Sequence, residues 1–279
     1  MMKRSTKKKT IRIVSYILLG VISFVIAFPF IWLVLTSFKT YQEIYSYPIM
    51  YLPKSWTTEH YHKISNLDFK NYFFNSIIVG TGTMIFSLLI GLFPAYAFSR
   101  YSFKWKNTLL ISVLIFQMFP MIVFLVPIFK FLDWIKLLDT HIGLILAYIP
   151  FTTPITIVFL RSFFLSVPKS LEEAALIDGC TRTKAFLRII FPVTLPGIAA
   201  VGVYAFLFAW SELLYSMSLL TSKALQTIPT FLSVFVGQYQ TRWGPLFAGS
   251  VFATLPPLVV FILLQRYFIS GLVSGAVKE

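Results

Sequence analysis

The stretch EEAALIDGCTRTKAFLRIIFP, Glu172–Pro192, carries Glu172, Glu173, Asp178, Arg182, Lys184 and Arg188 in a chain that is otherwise very apolar. The 279 residues are 57% hydrophobic and 12% charged, about half the charged share usual for a soluble domain. A surface so poor in charge cannot stay in water. The chain is therefore read as an all-α integral membrane protein, and Glu172–Pro192 as a polar element outside the lipid.

Working outward from that element, six apolar stretches are long enough to cross about 30 Å of hydrocarbon as helices. They run over 12–38, 72–98, 108–131, 142–165, 192–221 and 246–269. The first follows MMKRSTKKKT and is too long for a signal peptide, with no small-residue cleavage site after it, so it reads as a retained helix kinked at Pro29. With the amino terminus inside, the inner segments hold 16 Lys and Arg and the outer segments 8. That bias predicts both termini in the cytoplasm and puts Glu172–Pro192 there too, between the fourth and fifth spans. The net charge of +14 is explained the same way, without nucleic acid as a partner. The lone Cys180 excludes an intramolecular disulfide, and His60 and His62 lack the further ligands of a metal site, so no metal is expected.

Ser170 and Glu173 match a capping box, which predicts a short helix from Leu171 with its acids in the first turn. Gly179 suits the left-handed residue that ends such a helix, and a second helical segment is expected from Thr181 or Thr183 to Pro192. Leu171, Ala174 and Asp178 share one face, and the Ala174–Ala175 pair would let another surface approach closely. From the residues alone two readings stand: a plug that docks into another protein, and an ordinary interfacial helix with solvated acids. Adjacent Glu172 and Glu173 diverge from a helix, so they are not a glycosidase pair.

The spacing Glu173-Ala174-Ala175, Gly179, Ile189-Ile190-Phe191-Pro192 resembles the EAA loop of ABC importer permeases, with Phe191 in place of the usual Leu. FAWSELLYS resembles the F-x-W-N-E segment of the carbohydrate-importer, MalG-like branch, with Ser211 for Asn. QRYFISGLVSGAVKE resembles that branch's carboxy terminus, with Glu279 for Gly. The resemblance implies the type I importer permease fold, with six transmembrane helices and a cytoplasmic coupling helix. It divides the chain into an amino-terminal part, 1–70, and a permease domain, 71–279, with an EAA loop over 166–192 and a tail over 270–279.

It also implies partners in a bacterial cell membrane: a second, MalF-like permease, a MalK-like ATPase homodimer and an extracellular sugar-binding protein. The function implied is import of a sugar or oligosaccharide. Glu172, Glu173, Ala174, Ala175, Asp178, Gly179 and Pro192 would couple to the ATPase, and Gly271, Gly275 and Lys278 would touch it from the tail. The chain has no G-x-x-x-x-G-K-[ST], so ATP and Mg would sit on the ATPase, and this chain is expected to bind no cofactor and to be no enzyme.

Trp210 and Glu212 are candidate pore or gate residues. A charge at the bilayer centre costs about 2.5–3.5 kcal/mol on insertion scales, so Glu212 must face protein or water. The bland alternative is a structural hydrogen-bond partner to a neighbouring helix. A secondary transporter is disfavoured, because the spans hold very few ionisable residues and show no inverted repeat.

Overall fold

The protein is described by a computed structural model covering the backbone of residues 2–276 and the side chains of residues 12–263. Helices in chain order are α1 (Met2–Ser37), α2 (Tyr41–Ile44), α3 (Glu59–Ser65), α4 (Phe69–Arg100), α5 (Lys106–Phe116), α6 (Ile122–Trp134) and α7 (His141–Ser166). They continue as α8 (Lys169–Ile177), α9 (Arg182–Ala185), α10 (Phe191–Ser211), α11 (Leu214–Leu219), α12 (Ile228–Ser233) and α13 (Trp243–Ala276). Among the described residues there is no strand, only a bridge between Val236 and Thr241.

Among the described residues, five helical segments are long and apolar enough to cross a membrane: Arg12–Ser37, Phe69–Arg100, His141–Ser166, Arg182–Ser211 and Trp243–Leu263. The remaining expected stretch, 108–131, is split into α5 and α6 by a non-helical turn at 117–121. Pro120 has no N–H to continue the ladder. The freed groups find partners: Phe119 N–H donates to Phe116 O, and Tyr215 Oη donates to Met121 O at 2.9 Å. Gln117 Nε2 also reaches across to Phe151 O at 2.8 Å. The expected span 192–221 is likewise interrupted, because α10 stops at Ser211 and α11 restarts at Leu214.

The chain divides into two compact units, Met1–Asp68 with Val234–Thr254, and Phe69–Ser233 with Leu255–Glu279. In the first, Lys39 is almost wholly buried, and its Nζ donates to Met50 O at 2.7 Å and lies 4.0 Å from the centroid of the Trp32 ring. Burial pushes its ammonium pKa down, while the nearby Glu43 carboxylate pushes it up. The Lys39 carbonyl is 2.8 Å from His60 Nε2, and the buried His60 ring leaves no room for a side chain at Gly244.

In the second unit α4, α7 and α10 pack together through small and hydroxyl residues, which bring helix backbones close. At Gly91 an added Cβ would meet Thr156 Cγ2 at 2.8 Å, and one turn away Ser87 and Thr152 hydroxyls are hydrogen-bonded at 2.6 Å. Two apolar clusters result. One, at the α8 end, gathers Leu92, Tyr96, Phe98, Leu160, Phe164, Phe186 and Ile190. The other, towards the α11 end, gathers Tyr148, Phe151, Tyr215, Leu219 and Leu220.

Candidate functional site

The polar stretch folds into α8, a turn, and the helical run that leads into α10. The helix starts earlier than the capping box requires. Pro168 is the N-cap, with φ −56° and ψ 135°, and no side chain caps the end. Proline's preset φ favours helix initiation there, so Ser170 is already the second helical residue and cannot serve as the cap. Its expected reciprocal bonds with Glu173 are absent, and Glu173 is exposed.

The other end of α8 follows the sequence expectation. Gly179 has φ +84°, Cys180 N–H donates to Ala175 O at 2.9 Å, and Gly179 N–H donates to Leu176 O at 3.1 Å. These are the paired 6→1 and 5→2 bonds of a Schellman motif. A branched side chain at this φ costs on the order of 1–2 kcal/mol. Gly179→Val is therefore expected to open the turn, read as faster hydrogen exchange at the Gly179 and Cys180 amides, although no neighbour lies within 4 Å to clash.

After the turn Thr181 caps α9 by accepting from Lys184 N–H at 3.4 Å. The run does not end at Pro192 as expected. Phe186–Ile190 form a π-turn whose last bond runs from Phe191 N–H to Phe186 O, and Pro192 follows in the first turn of α10. The wider π spacing accommodates a residue with no N–H, so the proline is absorbed instead of terminating the helix.

The faces of α8 are distinct. Ile177 is 85% exposed, Leu171 44%, and Glu173, Ala174 and Asp178 are exposed as well. Ala175 is 3% exposed, turned into its own chain where α8 packs on α9 and the π-turn. The two alanines thus do not make one outward surface, because successive helix residues point about 100° apart. Leu171, Ala174 and Asp178 do share the outward side, and Ile177 joins them.

Glu172 points inward. Its Oε2 lies 3.1 Å from Arg100 Nε, and its Oε1 accepts from Tyr96 Oη at 2.5 Å. The Arg100 Nε hydrogen is not directed at a hydrogen-bond acceptor, so this contact is coulombic, while Arg100 Nη2 donates to Val167 O at 3.0 Å. Beside this pair a cleft of about 220 Å³ is lined by Arg100, Tyr101, Lys169, Glu172, Glu173, Leu176 and Arg182.

Glu212 lies at the interruption after α10. It accepts from Tyr148 Oη at 2.7 Å and from the N–H groups of Tyr215 and Ser216 at 2.9 and 3.4 Å. Those amides begin α11, so the carboxylate completes a helix amino terminus and satisfies a buried tyrosine. Trp210 is 5% exposed, stacked on Phe206 with ring centroids 5.5 Å apart and edge-on to Phe73 at 5.8 Å. Gly271 and Gly275 fall within the span of α13, and Lys278 lies outside the described residues.

Sequence reasoning overlooked Ile177, Arg100, Tyr96 and Tyr148. Ile177 had a signal, since it is a large apolar residue one turn beyond Ala174 on the same face. Arg100 and Tyr96 are 72 and 76 positions before Glu172, and no local pattern links them.

Residues 87–274 match the family described as binding-protein-dependent transport system inner membrane component. The chain is 36% identical over 253 residues to the probable ABC transporter permease protein YurM of Bacillus subtilis, covering 91% of this chain and 84% of that one. It is 34% identical to the inner membrane ABC transporter permease protein YcjP of Escherichia coli, covering 98% and 99% of the two chains. It is 32% identical to the trehalose/maltose transport system permease protein MalG of Thermococcus litoralis, covering 99% of each. Among solved structures, a chain of a bacterial ABC transporter involved in the import of the acidic polysaccharide alginate superposes with a TM-score of 0.77 at 20% identity, covering 93% of this chain and 97% of that one. This chain belongs to the binding-protein-dependent transport system inner membrane components, the family of ABC transporter permease subunits.

Proposed function

We propose that this chain is one of two permease subunits of an ATP-driven importer of a sugar or oligosaccharide. It would form the translocation pathway with a second, related permease and dock through α8 on a separate ATPase homodimer. The observation that carries the docking is the outward side of α8, where Ile177 is 85% exposed beside Leu171, Ala174 and Asp178 on a polar segment between two apolar spans. A large apolar side chain held out on a short helix closed by the Gly179 turn suits insertion into a partner's cleft.

Several findings support the rest of the reading. Relatives are named for trehalose/maltose, diacetylchitobiose and arabinooligosaccharide transport, which favours a sugar as substrate. A structural neighbour, at 17% identity and a TM-score of 0.64, comes from an alginate transporter in complex with a periplasmic protein bound to alginate pentasaccharide, which favours a binding protein as donor. Subunits of this family are not themselves catalytic, so ATP and Mg belong on the ATPase. The 16-to-8 bias of Lys and Arg favours an orientation with α8 and both termini in the cytoplasm. In that orientation Gly271, Gly275 and Lys278 would approach the ATPase from the tail. Glu212, tied to Tyr148 and α11, would hold the shape of a gate, with Trp210 packed nearby in the chain on Phe206 and Phe73.

The test is purification of the tagged chain from its own membranes in mild detergent, with uptake of a panel of labelled oligosaccharides by cells lacking the gene. A second permease and an ATPase should co-purify, and uptake of at least one sugar should be lost. A chain that purifies alone, from cells whose uptake is unimpaired, refutes the assignment. Cys180, half-buried and the chain's single cysteine, reports orientation: an impermeant thiol reagent should reach it in inside-out vesicles stripped of the ATPase and not in intact cells.

A further inference from the structure

We propose that Tyr96, Arg100 and Glu172 form a latch that makes α8 and the end of α4 move as one body, so that these three are positioning residues for coupling. The proposal rests on the reading of α8 as the ATPase-docking helix and goes beyond it by assigning the path through which movement enters the spans.

The geometry is specific. Tyr96 and Arg100 are four residues apart and so share a face at the last turn of α4. Both reach the same carboxylate, one to each oxygen of Glu172. Arg100 also binds the Val167 carbonyl, so it holds the linker into α8 as well as α8 itself. The side chains of the ion pair are 5% and 12% exposed. Replacing such a pair by apolar residues is often neutral or stabilising, so stability alone does not explain it, and fixed geometry is what it supplies.

The latch is anchored deeply. The Tyr96 ring lies 4.5 Å, centroid to centroid, from Phe186 of the π-turn and 5.9 Å from Phe164 near the end of α7. Force received on the outward side of α8, at Leu171, Ala174 and Ile177, would cross the helix to Glu172 and enter α4 beside a packed aromatic cluster. Without the latch, the remaining links are the inner-face packing around Ala175 and the chain itself, through Val167 and Pro168 to α7 and through the Gly179 turn into α9.

The experiment uses the whole complex, with both permeases and the ATPase, in lipid nanodiscs, the other subunits being free of reactive cysteine. Nitroxides are placed on native Cys180 and at Leu89→Cys, an exposed position on α4. Electron–electron distances are measured without nucleotide and after vanadate trapping with ATP. With the latch intact the distribution should be narrow and the same in both states. In the double variant Arg100→Gln with Glu172→Gln it should broaden, and the ratio of vanadate-sensitive hydrolysis with and without saturated binding protein should fall at least about fivefold. The ATPase should still co-purify. Tyr96→Phe, which removes only a hydroxyl, should broaden the distribution less.

The latch is refuted if the double variant keeps the native distribution, or if the native distance already changes between states. Loss of the ATPase from the double variant would also refute it, since the network would then be holding the docking surface together. Failure of the docking reading is separate and shows as retention of the ATPase by Ile177→Asp.

Discussion

Ile177→Asp is expected to strip the ATPase from the assembled complex while leaving the permease folded. The side chain is 85% exposed, so its replacement breaks no packing within this chain, and surface changes of that kind usually shift stability by less than about 0.5 kcal/mol. In a docked state the same side chain would be buried. Removing it forfeits about 1.5–3 kcal/mol of apolar burial, before the cost of desolvating a carboxylate is counted. A loss of roughly 3 kcal/mol corresponds to more than a hundredfold in affinity. The new carboxylate also sits in the last turn of α8, where negative charge opposes the helix dipole by about 0.3–1 kcal/mol. Titration of purified ATPase onto the permease pair in nanodiscs measures the change directly. Ile177→Leu should bind nearly as the native chain does. An aspartate variant that binds within about threefold of native, well under the tenfold that 1.4 kcal/mol makes, would leave α8 an interfacial helix with no docking role.

What was readable in the sequence follows the range of the interactions involved. Four long apolar runs became α1, α4, α7 and α13 because a span is decided by local composition. The left-handed Gly179 and a helix start near Thr181 were legible for the same reason, since both are decided within a few residues. The interruptions at 117–121 and 212–213 were not legible, because they exist where distant groups can serve the freed backbone. Tyr215 satisfies Met121 from 94 residues away, and Tyr148 shares the Glu212 carboxylate with the α11 amides across 64. The capping box failed in a local competition, in which Pro168 began the helix two residues before Leu171. Glu172 and Glu173 looked equivalent as adjacent acids of one motif. They part company because only one faces Tyr96 and Arg100, a distinction that depends on how α8 lies against α4.

The functional consequence of that division is a two-sided helix. Its exposed side offers Leu171, Ala174, Ile177 and Asp178, and its inner side holds Glu172 and Ala175. On the proposed reading, a contact surface and a transmitting surface are therefore separable by substitution, even though they alternate along nine residues.

Ala175→Trp tests the inner side, and its signature differs from that of Ile177→Asp. Ala175 is 3% exposed, and its own carbonyl is used by Cys180 N–H in the turn. The π-turn on which α8 packs is itself buried: Phe186 and Ile190 are 3% and 0% exposed within an apolar cluster that also holds Tyr96 and Phe164. An indole has no space to enter there without moving α8. Overpacking of a closed contact costs typically about 1–3 kcal/mol, while the helix propensity lost against Ala is only a few tenths. The helix itself should survive and be lifted off its support, which would pull Glu172 away from Arg100 and Tyr96. Hydrogen exchange at the amides of 172–178 should accelerate by at least about tenfold, the factor that 1.4 kcal/mol makes in an opening equilibrium, and ATPase binding should weaken in parallel. In Ile177→Asp the ATPase should be lost with exchange unchanged, and Ala175→Ser should be close to native in both readouts. If Ala175→Trp instead exchanges as the native chain does but sheds the ATPase, the indole is being met by the partner, and the inner face of α8 belongs to the docking surface. If neither readout moves, α8 is not seated on the π-turn in the assembled transporter.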